Sequence, residues 1–354
     1  MKCTRNTKKV GLAVFRFGVL VFLLVCLQEY CSGLSFSQVA GLLDDISFSA
    51  AIIILPISFA TLCDTFGWWL CLPEQKKRIS LHELFLIRVA TDALSNSLPA
   101  GVAVAEPMRP ALLRKQFGIR LTDGIAASII VKVNIAVAQG IYILFGLLLV
   151  FMSYYETIQD HGILDGTRSY LVVAAVVGGL VVGLLLIFNG SRLTQLFNVF
   201  DRVKIPQWQS FIERLKPHIA EMDTYVEGFA RKNRRHMITS LIVFFMAWMF
   251  IALESFVILS LLGSDVTFTQ AIVLESTASV IRIAFFFLPA GIGAQEVGFV
   301  TLLTAFGFPD PITLSAAYIL VKRAKEVCWV LFGYGLFAYL GHNPFTSAEN
   351  TLQA

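Results

Sequence analysis

The phrase Leu98-Pro99-Ala100-Gly101, followed by Glu106, returns 190 residues later as Leu288-Pro289-Ala290-Gly291, followed by Glu296. The same offset carries Ile129, Val131 and Lys132 onto Ile319, Val321 and Lys322, and Ala126-Ala127 onto Ala316-Ala317. Upstream it carries Asp64-Thr65-Phe66 onto Glu254-Ser255-Phe256. An ungapped register held from 64 to 132 reads as an internal duplication. Each copy sets a Pro-Gly break inside an apolar segment, the device by which transporters build a binding site half-way across a bilayer.

The apolar content says where such a chain folds. Of 354 residues 56% are hydrophobic and only 15% charged, with a mean hydropathy of +0.73, which excludes an ordinary soluble fold. Six segments reach the roughly 20 residues that a bilayer core requires: 10–30, 49–72, 122–152, 169–189, 237–262 and 312–341. The first follows Lys2, Arg5, Lys8 and Lys9 and reads as an uncleaved signal-anchor, because the run is long and no small-residue cleavage site follows it. Two further stretches, 82–106 and 270–306, are cut by the Leu-Pro-Ala-Gly phrases. Each reads as a re-entrant hairpin of two half-helices, the alternative being a full span kinked at proline.

Charge sorting favours the hairpins. With the N-terminus inside, the cytoplasmic pieces carry Lys76, Lys77, Arg78, Arg109, Arg114, Lys115 and Arg120, and a further basic set within 190–235. The outside pieces carry Asp44, Asp45, Glu156, Asp160, Asp165, Asp265 and Asp310, with Arg168 as their only basic residue. This is the positive-inside pattern, and it requires 82–106 to return to the side it left. Residues 1–153 then form a first repeat and 154–341 a second. Each has two spans, a hairpin and a third span, so the second copy is inserted upside down. The expected fold is an all-α polytopic membrane protein with an inverted-topology repeat, six spanning helices and two re-entrant hairpins. Both termini are expected in the cytoplasm, with a polar tail at 342–354. Within 190–235, Trp208, Phe211, Ile212, Leu215, Ile219, Met222, Val226 and Phe229 recur three or four apart. That spacing predicts an amphipathic helix, lying in the interface or docked on the bundle.

Ionisable residues at membrane depth are costly and face an interior or a wet cavity. Among them Asp64, Asp92, Glu254 and Glu275 are candidates for proton or charge coupling. The head-group candidates are Pro99, Gly101, Glu106, Arg109, Lys132, Arg282, Pro289, Gly291, Gly293, Glu296, Lys322 and Arg323. The half-helix ends exposed at the breaks offer backbone N–H groups to an anion, and the cations add charge-assisted contacts. Glu106 and Glu296 have a second reading, as carboxylates that complement a positive helix end. Asp92 and Arg282 occupy equivalent repeat positions with opposite sign, which suggests a shared cavity. The six cysteines form no CxxC or Cys/His cluster, and the five histidines are scattered. No metal site, cofactor, nucleotide loop or catalytic constellation is expected.

The Pro-Gly phrases, above all Leu288-Pro289-Ala290-Gly291-Ile292-Gly293-Ala294-Gln295-Glu296, resemble the P-x-G-x-G-x-x-E motif of a flippase-like transmembrane family. That family forms the membrane half of lysylphosphatidylglycerol synthases and also occurs as stand-alone proteins. Leu98 to Glu106 with Arg109 is similar to its first motif, with Ala105 where the family more often has glycine, and Arg323 and Gly333 match its last span. The resemblance covers roughly 10 to 341. It implies translocation of an anionic phospholipid, or of a lipid-linked glycan or isoprenoid lipid, across a bacterial inner membrane, and not catalysis. No aminoacyl-transferase domain is expected here, so lysyl transfer is not carried over. The implied partners are membrane lipids and a lipid-modifying enzyme or glycosyltransferase encoded separately, with no nucleic acid and homo-oligomerisation left open. Three alternatives remain: a small-solute or ion secondary transporter of the same architecture, an integral membrane enzyme acting on a lipid phosphate, and a scaffold.

Overall fold

A computed structural model describes residues 50–72, 79–97, 101–160, 232–284 and 294–342, and singly 41, 178, 228 and 229. The expected spans 10–30 and 169–189, and most of the expected amphipathic insert 190–235, lie outside them. The described elements are all helical: α1 Ala50–Cys71, α2 Leu81–Ser97, α3 Gly101–Phe117, α4 Leu121–Asp160, α5 Arg234–Leu261, α6 Phe268–Ala284, α7 Ala294–Ala305 and α8 Pro311–His342. Some helix ends recur at the same 190-residue offset as the sequence phrases. α1 closes at Cys71 and α5 at Leu261, while α4 opens at Leu121 and α8 at Pro311; both pairs lie 190 residues apart.

Three described stretches, Ile52–Cys71, Leu121–Met152 and Arg234–Leu261, are long and apolar enough to cross a bilayer. They leave large apolar side chains uncovered, among them Leu55 at 55% and Met152 at 71% exposure. In water such a surface would be a liability, whereas hydrocarbon tails solvate it. α8 is as long as a span needs, 32 residues, but Lys322, Arg323, Lys325 and Glu326 interrupt its apolar run.

The helices group into two compact units. One gathers Ser255–Ala324 with the chain up to Ile53, and the other gathers Ile54–Glu254 with Lys325–Ala354. In the second of these α2 packs along α3 and α3 along α4, around Trp68, Leu84, Ile87, Leu113, Ile119, Ile130 and Phe244. In the other α6 packs along α7, around Ile258, Leu259, Leu274, Phe299, Leu303 and Tyr318.

Both broken stretches fold as helical hairpins. Arg109 Nε donates to Thr91 Oγ1 at 3.1 Å, and these positions lie nearly equidistant from Pro99, so α2 and α3 run antiparallel. At the equivalent level of the second copy, a Cβ on Gly298 would collide with Ile281 Cδ1. α2 and α6 each begin on a reciprocal cap. Ser80 Oγ accepts from Glu83 N at 3.2 Å while Ser80 N donates to Glu83 Oε2 at 3.1 Å. Thr267 and Gln270 repeat this at 3.3 and 2.8 Å. Such boxes satisfy amides that a helix start leaves open. At 17 residues, α2 and α3 each rise about 26 Å, short of a typical hydrocarbon core.

One boundary differs from the sequence expectation. The first hairpin does not end at 106, because α3 continues through Pro107 and Pro110 to Phe117. The helix persists because Ala105, Arg109, Leu113 and Gln116, spaced three or four apart, are all buried. Arg109, counted among the cytoplasmic basic residues by charge sorting, is therefore only 5% exposed. In the second broken stretch the described helices are α6, Phe268–Ala284, and α7, Ala294–Ala305.

α4 and α5 are joined by a buried polar contact, in which Asn134 Nδ2 donates to Ser240 Oγ at 2.7 Å. Ser240 in turn donates to the Met237 carbonyl at 2.9 Å. Between membrane helices such a bond is worth about 1 kcal/mol. Asn134→Val is expected to lower the thermal midpoint of detergent-purified protein by an amount of that order, and Ser240→Ala in the same background should add little. An additive loss from the second change would mean that the two residues act separately.

Candidate functional site

The ionisable residues at depth assemble into two clusters, one in each unit. The first threads four helices as a chain of alternating sign. Asp64 on α1 meets Arg88 on α2 at 2.9 Å, and Arg88 Nε lies 3.4 Å from Asp92 one turn on. Asp92 also pairs with Arg109 on α3. Arg109 Nη1 donates to Glu106 at 2.9 Å, and Lys132 on α4 reaches the same Glu106 oxygen at 2.7 Å. Trp68 places its ring 6.0 Å from the Arg109 guanidinium, a cation–π distance. Three cations face three carboxylates, so the cluster is neutral.

The second cluster centres on Glu275, which has no exposed surface. Its Oε1 accepts from Ser255 Oγ at 2.6 Å, from the Tyr318 hydroxyl at 2.8 Å and from Lys322 Nζ. Lys322 also donates to Tyr318 Oη at 3.1 Å, and lies 5.4 Å and 5.9 Å from the Tyr318 and Phe299 ring centres. Arg282, in the last turn of α6, donates to Ser279 Oγ at 2.9 Å and stands 3.9 Å from Glu275 Oε2. Arg323 approaches Glu296 at 4.0 Å. A separate pair, Glu254 with Lys325 at 2.7 Å, belongs to the unit that holds the first cluster.

Lys132 and Lys322 hold equivalent repeat positions yet choose different partners. The second copy has Glu275 where the first has Phe85, and Phe299 where the first has Arg109. Lys322 therefore turns to the carboxylate on the first arm of its hairpin, and the vacated guanidinium position becomes an aromatic wall. The two glutamates of the Pro-Gly phrases also differ. Glu296 lies in the first turn of α7, where its charge complements the positive helix end. Glu106 lies beyond the first turn of α3 and serves as a bridge between Arg109 and Lys132.

Of the expected head-group residues, the structure joins Glu106, Arg109 and Lys132 in one cluster, and places Arg282, Glu296, Lys322 and Arg323 in the other unit. Gly101 opens α3. Pro99, Pro289, Gly291 and Gly293 lie outside the described residues. The four coupling candidates are each ion-paired: Asp64 with Arg88, Asp92 with Arg88 and Arg109, Glu254 with Lys325, and Glu275 with Lys322. Asp92 and Arg282 each find these partners within their own unit. Arg88, Trp68, Thr91, Ser255 and Tyr318 were not among the candidates. Spacing offers a signal for two of them, since Arg88 precedes Asp92, and Tyr318 precedes Lys322, by one helical turn.

The family model described as the lysylphosphatidylglycerol synthase TM region matches residues 10–324. No curated protein and no solved structure gave a match.

Proposed function

The chain belongs to the lysylphosphatidylglycerol synthase TM-region family, a premise from which we propose that it moves a lipid with an anionic head group between the leaflets of a bacterial inner membrane. Its apolar helices and its family make it a membrane protein related to lipid metabolism or transport. The observation that carries the finer reading is the placement of ion-paired clusters on the two broken helix pairs of an otherwise apolar bundle. A charged head group entering hydrocarbon loses its hydration at a cost of many kcal/mol, which fixed polar groups must replace. Cations and helix ends within hairpins supply that replacement while acyl tails stay in lipid.

In this reading both hairpins are re-entrant and enter from opposite faces, as the charge sorting of the sequence requires, and the termini lie in the cytoplasm. The protein acts as a transporter and not as an enzyme, in keeping with carboxylates at depth that are tied to cations. The substrate is an anionic phospholipid or a lipid-linked glycan, and a separate lipid-modifying enzyme would supply or consume it.

The test is leaflet exchange in liposomes reconstituted with the full chain and fluorescent lipids, read by quenching of the outer leaflet. Exchange of an anionic lipid well above that of empty liposomes is expected. Exchange at the empty-liposome rate for phosphatidylglycerol, phosphatidate and a polyprenyl phosphate alike would defeat the proposal.

A further inference from the structure

Five cations stand outside both clusters, at one end of one unit. Arg114 and Lys115 lie in the last turn of α3, and Lys232, Arg234 and Arg235 lead into α5. All five are exposed, and among the described residues none is held in an ion pair. The described carboxylates at this end are committed, Asp123 to Arg120 and Glu83 to the Ser80 cap, and the first turn of α5 has no acidic residue. The helices bring the five to a common end. Asn134 meets Ser240 and Tyr142 stacks on Trp248; both contacts advance by eight residues, so α4 runs parallel to α5. α3 turns into α4 within 118–120, which puts the close of α3 where α4 and α5 open.

Below the α5 pair runs an apolar face. Ile238, Ile242 and Met246, a turn apart, are 47%, 57% and 43% exposed, while Ser240, Phe244 and Ala247 are buried against the protein. Arg234 and Arg235 precede Ile238 by one turn and cap this face. From Arg235 to Met246 a helix rises about 16 Å, the share of one leaflet in a hydrocarbon core about 30 Å thick. The cations therefore stand at the head-group level of the leaflet whose tails cover the stripe. An acidic protein or a nucleic acid would use the charges and leave the stripe bare, whereas a lipid uses both.

We propose that this outer face of α5 holds an anionic lipid as a retained component and not as cargo, with its phosphate on Arg234 and Arg235 and an acyl chain along Ile238, Ile242 and Met246. The site goes beyond the transport reading and requires only that α5 cross the membrane. Two guanidiniums offer planar forks of N–H donors to phosphate oxygens. Arg114, Lys115 and Lys232 add a field that draws anionic over zwitterionic lipid to this end. The bound phosphate also offsets two cations placed at the positive end of α5, where a cation is unfavourable.

Native mass spectrometry of the full chain in detergent, incubated with phosphatidylglycerol or phosphatidylcholine, counts the lipids it retains. The parent should prefer phosphatidylglycerol. Arg234→Gln with Arg235→Gln should retain one phosphatidylglycerol fewer, the affinity at that site falling about thirtyfold, at roughly fivefold per cation. Arg234→Lys with Arg235→Lys should keep the preference. Arg120→Gln, whose charge is spent on Asp123, should leave the count unchanged. Equal retention of both lipids by the parent, an unchanged count in the double glutamine variant, or an equal loss in Arg120→Gln overturns the site. Salt tests it without mutation. Raising it from about 0.1 M to about 1 M shortens the screening length to roughly 3 Å and should erase the preference; a preference that persists overturns the site. Glycerol 3-phosphate, a head group without tails, should not displace the lipid at equal concentration, and displacement would remove the stripe from the site. A parent that runs as a dimer, with the double glutamine variant a monomer, would assign the face to a second copy instead.

Discussion

Replacing Arg109 by methionine is expected to destabilise the protein by about 3 kcal/mol, the range seen when one partner of a buried charge network is removed. Arg109 is 5% exposed and touches Asp92, Glu106 and Thr91 at once. Its loss turns a neutral cluster into one of net charge −1 with its middle missing. Among the described residues, Asp92 then keeps the 3.4 Å approach of Arg88 and Glu106 keeps Lys132. Lys132→Met should cost under about 1 kcal/mol, because its side chain is 46% exposed and an exposed ion pair is worth little. Arg109→Met combined with Glu106→Gln restores neutrality and should be more stable than Arg109→Met alone. Chemical or thermal unfolding in detergent measures all three. A double variant as unstable as the sum of its parts would show that charge balance does not govern this cluster.

Much of this arrangement is legible in the letters, because phrases recur at a fixed 190-residue offset. A repeated register constrains two copies at once, so weak signals at 64 and 254, or at 132 and 322, reinforce one another. The helix ends at Cys71 and Leu261 obey it, as do the starts at Leu121 and Pro311. What the letters conceal is pairing. Lys132 and Lys322 look equivalent, and only the fold reveals that Phe85 and Glu275 send them to different carboxylates. Proline misleads in a second way. Pro107 and Pro110 punctuate a soluble sequence, but here α3 runs through both because a buried stripe from Ala105 to Gln116 holds it. Inward and outward placement of the charged groups is a further property that no spacing encodes, since a salt bridge can bury either partner.

The two stretches that share the 190-residue offset differ in their electrostatics. The differences at 85/275 and 109/299 leave Lys132 on Glu106 and Lys322 on Glu275.

Gly333→Leu is expected to abolish accumulation of folded protein, and Gly333→Ala to cost about 1–3 kcal/mol as an overpacking change. Gly333 on α8 lies so close to α2 that a Cβ there would stand 2.6 Å from Ala93 Cβ and 2.7 Å from the Val89 carbonyl oxygen. A backbone carbonyl has no rotamer by which to yield, so the helices themselves must separate. Small residues at such crossings let membrane helices gain dispersion contacts and polar bonds that bulkier residues deny. One such bond sits beside it, Ser97 Oγ to the Tyr334 hydroxyl at 2.6 Å, and it would be pulled apart with the backbones. Ala93→Gly removes one obstruction but leaves the Val89 carbonyl. The pair Ala93→Gly and Gly333→Ala should therefore recover part of the stability lost in Gly333→Ala, without reaching the parent. Tyr334→Phe, which removes the hydroxyl and no space, should cost far less than either glycine change. Thermal midpoints in detergent decide the matter: a Gly333→Leu protein that purifies and melts like the parent would show that α2 and α8 do not meet at this close approach.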